Sequence, residues 1–328
     1  MVDDYTGPGW TGIAASVLRT SLGLRRGQSV MIETWDHSLR AAEIIAVEAR
    51  RLGIRPFIVH ASYWAFFESQ RRATPWDANA LSSIELAAAA ASDGYIVLPD
   101  SLEHYARRDH LPSANRRANQ RRRQEWNSTL VRHSVPSVNL LAALVTSSSA
   151  RELGVDFTAW QREAFGACQV SPRLLRREAR PIARQLARGK RITITHPNGT
   201  HLELGLARRQ PVLDVGAVDR RDLAAGRFGT NVPGGYLAVA VDEHVAEGMF
   251  LSNRPTRSRR GVIEEIRWTF RDGRLHHYDV GAGGDVFRES YDRAGRERDR
   301  PAILEIGLNP AIRDFPLAED QERGVVTV

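Results

Sequence analysis

The hydrophobic period of this chain changes near residue 185, and that change limits the folds open to it. Before it, helix-spaced and strand-like apolar segments alternate. Ile13–Leu22 spaces its apolar residues as a helix does and stops at Gly23. Ser29–Glu33 is a short strand-like run. Ser38–Leu52 carries Leu39, Ile44, Ile45 and Val47 and stops at Gly53, a residue that tolerates the left-handed backbone of a helix end. Ile54–His60, Tyr95–Leu98 and Val138–Val145 read as further strands, and Ala80–Ala91 and Ser113–Arg132 as further helices. Strands that alternate with helices pair in parallel, because each connection must cross back over the sheet. Two helical connectors follow, Phe157–Phe165 and Ser171–Ala187. Ser171 suits an N-cap and Pro172 the first helical position, and Pro181 is expected to kink or divide the second helix.

Beyond residue 185 the apolar period becomes two. Ile192 and Ile194 alternate with threonines, Pro197-Asn198-Gly199-Thr200 follows, and Leu202, Leu204 and Leu206 alternate again. Asn-Gly between two alternating runs predicts a hairpin with a type I′ turn. Tyr236–Val241, Val262–Arg267, Arg274–Val280 and Ile303–Gly307 read as strands, with a tight turn at Asp272-Gly273. The expected fold class is α/β. An N-terminal parallel-sheet, Rossmann-like domain with its helical connector spans 1–185, and a C-terminal β-rich α+β domain spans 186–328.

With 328 residues, 42% of them apolar, the chain can bury a sizeable core. No apolar run approaches the roughly 18–20 residues of a membrane helix. The opening MVDDYTGPGW lacks the basic and apolar stretches of a secretory signal. Cys168 is the one cysteine and cannot close an internal disulfide, so a reducing cytoplasm is the expected setting. Formal net charge is +7, and Lys190 is the only lysine. A GC-rich genome by itself favours arginine. An anionic partner, an acidic peptide or nucleic acid, is the functional alternative.

The segment GTNVPGGYLAVAVDEHVAEGMF, residues 229–250, carries the most specific signal. It resembles the metal-site segment of the thermophilic metallo-aminopeptidase family, in which Asn-x-Pro-x-Gly-Glu precedes an acidic pair and a Glu-Gly. Asn231, Pro233, Gly235, Asp242, Glu243, Glu247 and Gly248 fit that pattern. Softer likenesses in the same order are Ser21–Leu24 with Gly27–Val30, residues 189–206, residues 267–280, and GLNPAI near the end. The resemblance implies a two-domain scaffold, a homodimer and a cleft that accepts the end of a peptide. Ring-opening dioxygenases that act on dihydroxypyridines share the scaffold, so the fold does not settle the reaction.

The departures from the family carry the functional reading. Tyr236 stands where the resemblance places the first metal-binding Glu, and a neutral phenol gives a divalent cation no charge compensation. Ile303 stands at the second metal carboxylate. Glu305 lies two residues further on the same strand face, displaced by about 6–7 Å. Thr327 stands where a His is expected, within Gly324-Val325-Val326-Thr327, and the family's later Tyr and His-x-Asp have no counterpart.

Other candidates are weaker. His276-His277 are adjacent and so point to opposite strand faces, and His196 with His201 would need two more ligands to bind zinc. Gly281–Asp285 lacks the pattern of a phosphate loop, and no Gly-x-Ser-x-Gly elbow occurs. Arg116, Arg117, Arg121, Arg122 and Arg123 make a basic helix beside Trp126. Their spacing spreads them around it, and no nucleic-acid motif accompanies them. Tyr63, Trp64, Phe66 and Phe67 exceed what one amphipathic face can bury.

The sequence therefore points to a non-catalytic peptide-binding protein, a pseudoenzyme with no cofactor on an aminopeptidase-like scaffold. Its contacts would be Asn231, Tyr236 and Glu305, with Arg116, Arg121 and Arg122 drawing an acidic peptide. Such a protein would present a precursor peptide to modifying enzymes. This arrangement is similar to the peptide-binding proteins of crocagin-type pathways for ribosomally made, modified peptide natural products. The alternative is a metal-dependent aminopeptidase or ring-cleaving dioxygenase with zinc or iron in a rebuilt site of Asp242, Glu243, His244 and Glu305.

Overall fold

The structure is a computed structural model that describes residues 8–258, 261–313, 316, 321–323 and 325–328. The chain divides into two compact units. The first is Met1–Pro172 with Asp214–Gly234, and the second is Arg173–Leu213 with Gly235–Val328.

The first unit is built on five parallel strands, β1 (Ser29–Trp35), β2 (Arg55–Ala61), β3 (Gly94–Val97), β4 (Ser137–Leu140) and β8 (Gly229–Val232), in the order β2-β1-β3-β4-β8. Its helices are α1 (Pro8–Ser16), α2 (Leu39–Arg51), α3 (Tyr63–Arg72), α4 (Ser83–Ala90), α5 (Leu102–Asp109), α6 (Ser113–Arg132), α7 (Ser147–Leu153), α8 (Phe157–Cys168) and α10 (Arg220–Ala224). Alternation along each strand decides what covers the sheet. Val30 and Ile32 face one layer with Trp10, Ile13, Leu18 and Ile45. Met31 faces the other with Tyr95, Leu130 and Val135. Each large side chain buried this way contributes roughly 1.5–3 kcal/mol. At the sheet edge, the Arg55 amide donates inward to the Gln28 carbonyl at 2.8 Å. Pro56 then falls on the outward-facing side, where a missing N–H discourages further pairing.

The second unit centres on β9 (Tyr236–Leu251), a strand of 16 residues. Around it lie β5 (Arg191–Thr195), β6 (His201–Leu206), β7 (Val212–Asp214), β10 (Thr256–Ser258), β11 (Gly261–Arg271), β12 (Arg274–Ala282), β13 (Ile303–Gly307) and β14 (Val326–Thr327). β6, β7, β11 and β13 all pair with β9, β10 and β12 pair with β11, β5 with β6, and β14 with β13. The helices α9 (Pro172–Arg188) and α11 (Gly284–Arg293) complete the order.

Three expectations change. The domain boundary is not a single cut near residue 185, because residues 214–234 return to the first unit. Parallel pairing of Asn139 with Asn231, far apart in sequence, leaves no local signal. The helix α9 runs through Pro181 without dividing, and Pro181 itself is exposed. The β5–β6 turn is not type I′. Gly199 alone has positive φ (100°), and its amide reaches the His196 carbonyl at 3.1 Å, with Pro197 fixing the φ of the turn's second residue. At Asp272-Gly273 both φ values are positive (50° and 74°), as the tight turn requires.

Candidate functional site

The β9–β13–β14 register assembles one face from the positions at which the sequence departs from the metal-site pattern it resembles. Tyr236 pairs with Gly307, Ala238 with Glu305, Ala240 with Ile303, and Glu305 with Thr327. Directly paired residues share a face, so Tyr236, Ala238, Ala240, Ile303, Glu305, Gly307 and Thr327 lie on one side. Leu237, Val239, Val241 and Leu304 alternate to the other side and are buried there. The first face is the more open one. Tyr236 and Glu305 are half-buried, Thr327 is exposed, and Ile303 is 44% exposed. Within 236–241, 303–307 and 326–327 Glu305 is the one acidic residue on this face, and Asp242 continues the same face of β9 up to the bulge. Of the terminal motif, Gly324 lies outside the described residues.

The acidic pair and its histidine belong to a different device. Between the pairs Leu204↔Ala246 and Gly205↔Asp242, β9 bulges outward through Glu243, His244 and Val245. A side chain at residue 205 would crowd Val245 and Asp242 at 2.7 and 3.0 Å, which is why a glycine stands opposite the bulge. Asp242 Oδ1 accepts the His244 amide at 3.0 Å, and Glu247 Oε2 accepts the Asp272 amide at 3.1 Å. Arg300 Nη1 reaches the Glu243 carbonyl and His244 Nδ1, both at 2.9 Å. These groups pin the bulge to its neighbours. Glu305 sits opposite Ala238, four residues along β9 from Asp242, or about 13 Å. The rebuilt set Asp242, Glu243, His244 and Glu305 is therefore not brought together. Among the described residues no group of three or more His, Cys, Asp or Glu side chains could hold a metal ion.

Asn231 sits in the first unit, in a buried amide and carboxylate network. Its side-chain nitrogen and its backbone amide donate to Asp214 Oδ2 at 3.1 and 3.0 Å, and its oxygen accepts from Asn139 at 3.0 Å. Asp214 Oδ1 also receives the Thr230 hydroxyl at 2.5 Å and the Gly216 amide at 3.1 Å. Burial pushes the Asp214 carboxyl above its ordinary range, and these donors oppose that shift. The next residues are equally constrained. A Cβ at Gly234 would meet the Gly216 nitrogen at 2.1 Å, and one at Gly235 (φ 139°) would meet Asn309 Cβ at 2.6 Å. The Asn-x-Pro-x-Gly signature is thus a chain-packing device in this molecule.

The basic helix α6 does not concentrate its charge. Arg116 donates to the Leu111 carbonyl at 2.6 Å, Arg122 pairs with Glu85 at 3.0 Å, and Arg121 is exposed in another direction. His276 and His277 are both exposed on β12, and His196 Nδ1 accepts the Asn198 amide in its turn. The glycine run serves β12 and α11, since a Cβ at Gly283 would strike the Val262 carbonyl oxygen at 2.2 Å.

One polar constellation escaped the sequence reading. In the order β2-β1-β3 the chain leaves β1 to one side and returns to β3 on the other, the point at which parallel sheets open a crevice at their carboxyl ends. The strand ends there and the first turns of the helices that follow hold Asp36, His37, Tyr63, Asp100, Ser101 and His104. The Tyr63 hydroxyl bonds His37 Nδ1 at 2.7 Å and accepts the Ser101 amide at 3.1 Å, and the Tyr63 amide donates to Asp36 Oδ2 at 2.6 Å. The His104 ring stacks on Tyr63, and the Arg108 guanidinium pairs with Asp100 at 2.9 Å while lying 4.8 Å from the Trp35 ring centre. Burial lowers the His37 and His104 pKa values to about 4 each, so both rings are neutral near pH 7. The sequence signal was polar residues directly after strand ends, Asp36-His37 and Asp100-Ser101. Of the aromatic run, Tyr63 is buried here while Trp64 is 74% exposed.

No protein-family model and no curated protein matches the chain. Solved structures do share its fold. AmpT from Thermus thermophilus, a thermophilic aminopeptidase, superposes with a TM-score of 0.66 over 91% of this chain and 77% of its own, at 17% identity. The 2,5-dihydroxypyridine dioxygenase from Pseudomonas putida KT2440 superposes with a TM-score of 0.56 over 93% and 77%, at 13% identity. The fold is aminopeptidase-like. Among the described residues no helix is long and apolar enough to cross a membrane.

Proposed function

We propose that this chain binds peptide without cleaving it, and that it presents a precursor peptide to modifying enzymes. The observation that carries this reading is the composition of the β9–β13–β14 face. Tyr236, Ile303 and Thr327 stand where the resemblance places metal ligands, and Glu305 is the one carboxylate beside them. One carboxylate among a phenol, a threonine and aliphatic groups cannot compensate a divalent ion, but it suits a singly charged ammonium. An extended peptide could lie along the open face, pairing its backbone with a strand edge such as β14, with its terminal ammonium on Glu305 and its first side chain against Tyr236 and Ile303.

Fluorescence anisotropy with a labelled, uncharged-side-chain peptide tests this. Affinity is expected to fall about ten-fold or more when the peptide's amino terminus is acetylated or when Glu305 becomes alanine. Mass spectrometry of the peptide after incubation with zinc, cobalt or iron is expected to show it intact. Release of its first residue would sink the reading.

A further inference from the structure

On α2, α3 and α11 exposed arginines pair with an acid three or four residues away. Arg40 pairs with Glu43, Arg51 with Glu48, Arg71 and Arg72 with Glu68, Arg288 with Asp285, and Arg293 with Glu289. The arginines of α6 are spread around their helix, whereas those of α9 are aligned. Arg173, Arg177, Arg180, Arg184 and Arg188 follow one another at spacings of three and four, and all five are exposed. At 3.6 residues per turn they fall within an arc of about 80° and run for about 22 Å. Leu175, Ala179 and Leu186 are the buried residues of the helix and lie off that arc. The helix has one acid, Glu178. It lies off the stripe, about 140° around from Arg173, and pairs with Arg177 at 3.6 Å and with Arg323 at 3.1 Å.

Local physics opposes this arrangement. Like charges at i,i+3 and i,i+4 repel along the stripe. The first turn contains no acid and carries Arg173 at the positive end of the helix dipole. A GC-rich genome would favour arginine over lysine, but it would not align five cations on one face. No aromatic residue lies among them, so the stripe lacks the stacking platforms of a single-strand nucleic-acid groove.

We propose that the α9 stripe is a docking site for an acidic stretch of peptide. This rests on the peptide-binding reading above and names a second contact for it. Carboxylates on one side of an extended chain recur every 6–7 Å or so, and guanidinium groups four residues apart on α9 recur about every 6 Å. Planar guanidinium forks then grip successive carboxylates in two-point bonds.

The test uses the full chain and a labelled peptide with six consecutive glutamates, followed by anisotropy at 50 and 300 mM NaCl. The triple variants Arg180→Gln/Arg184→Gln/Arg188→Gln and Arg180→Glu/Arg184→Glu/Arg188→Glu are compared with wild type. The Gln variant removes like-charge repulsion, so its thermal midpoint is expected to match or exceed wild type, while the Glu variant keeps like charges at the same spacing with the sign inverted and serves as the charge-reversal control. Affinity is expected to fall at least about ten-fold in the Gln variant and further in the Glu variant, with loss of the salt dependence. The hexaglutamate peptide is acetylated at its amino terminus, so it lacks the ammonium proposed to sit on Glu305 and its affinity reads the stripe alone. If that pattern holds while the uncharged peptide is indifferent to Glu305→Ala, the stripe stands and the face reading fails. Unchanged acidic-peptide binding in the triple variants overturns the stripe, as does tighter binding of a single-stranded oligonucleotide of equal charge.

Discussion

Alanine at Gly235 is expected to destabilise the second unit by about 3–5 kcal/mol. Two costs combine there. A φ of 139° is a conformation that side-chain-bearing residues adopt only under strain, worth roughly 1–3 kcal/mol. The added Cβ would also stand 2.6 Å from Asn309 Cβ and 3.0 Å from its nitrogen, and such overpacking costs typically another 1–3 kcal/mol. Neither neighbour can retreat easily. Asn309 is fully buried, its amide donates to the Gln321 carbonyl at 2.8 Å, and the Leu308 amide donates to the Gly235 carbonyl at 2.7 Å. Gly226 has a positive φ of 75°, in the milder left-handed helical region, with open space around it, so Gly226→Ala should cost only about 1 kcal/mol. Urea unfolding of both variants checks the contrast, and equal losses would show that space at Asn309 plays no part.

Alanine at Asp214 is the second large effect, again about 3–5 kcal/mol, now in the first unit. The substitution strands the Gly216 and Asn231 amides, the Thr230 hydroxyl and the Asn231 side chain together. Each buried donor left unpaired costs roughly 1–3 kcal/mol before relaxation. Asn231→Ala removes one donor to that carboxylate and the Asn139 contact, so it should cost less than half as much. Hydrogen exchange is the sharper readout. The β4–β8 amides should lose protection in Asp214→Ala well before those of β1 and β2. Uniform loss across the sheet would contradict a local network.

How far the sequence revealed this molecule depended on the range of each signal. Local signals were legible. Gly53 ends α2, Asp272-Gly273 makes its tight turn, and β13 occupies Ile303–Gly307 as the alternation predicts. Long-range pairing was not. Nothing around residues 229–232 announces a fifth parallel strand, and the Glu243–Val245 bulge hid that β9 continues to Leu251. For the site, period-two reasoning put Ile303 and Glu305 on one face, and the strand register added Tyr236 and Thr327. The acidic run Asp242-Glu243-His244 looked like ligands because residue type alone cannot distinguish a metal shell from a bulge clamp. Asn231 looked like a contact for the same reason. The α9 stripe went unseen because the expected break at Pro181 split it in two.

Tyr236, Ile303 and Thr327 leave Glu305 as the one carboxylate beside the positions of the resembled metal ligands. Elemental analysis of protein purified without chelators, then dialysed after exposure to zinc, iron or manganese, tests it most directly. The account predicts well under about one-tenth of an ion per chain, a value unchanged in Glu305→Ala. Close to one ion per chain in wild type, lost in Glu305→Ala, would contradict it.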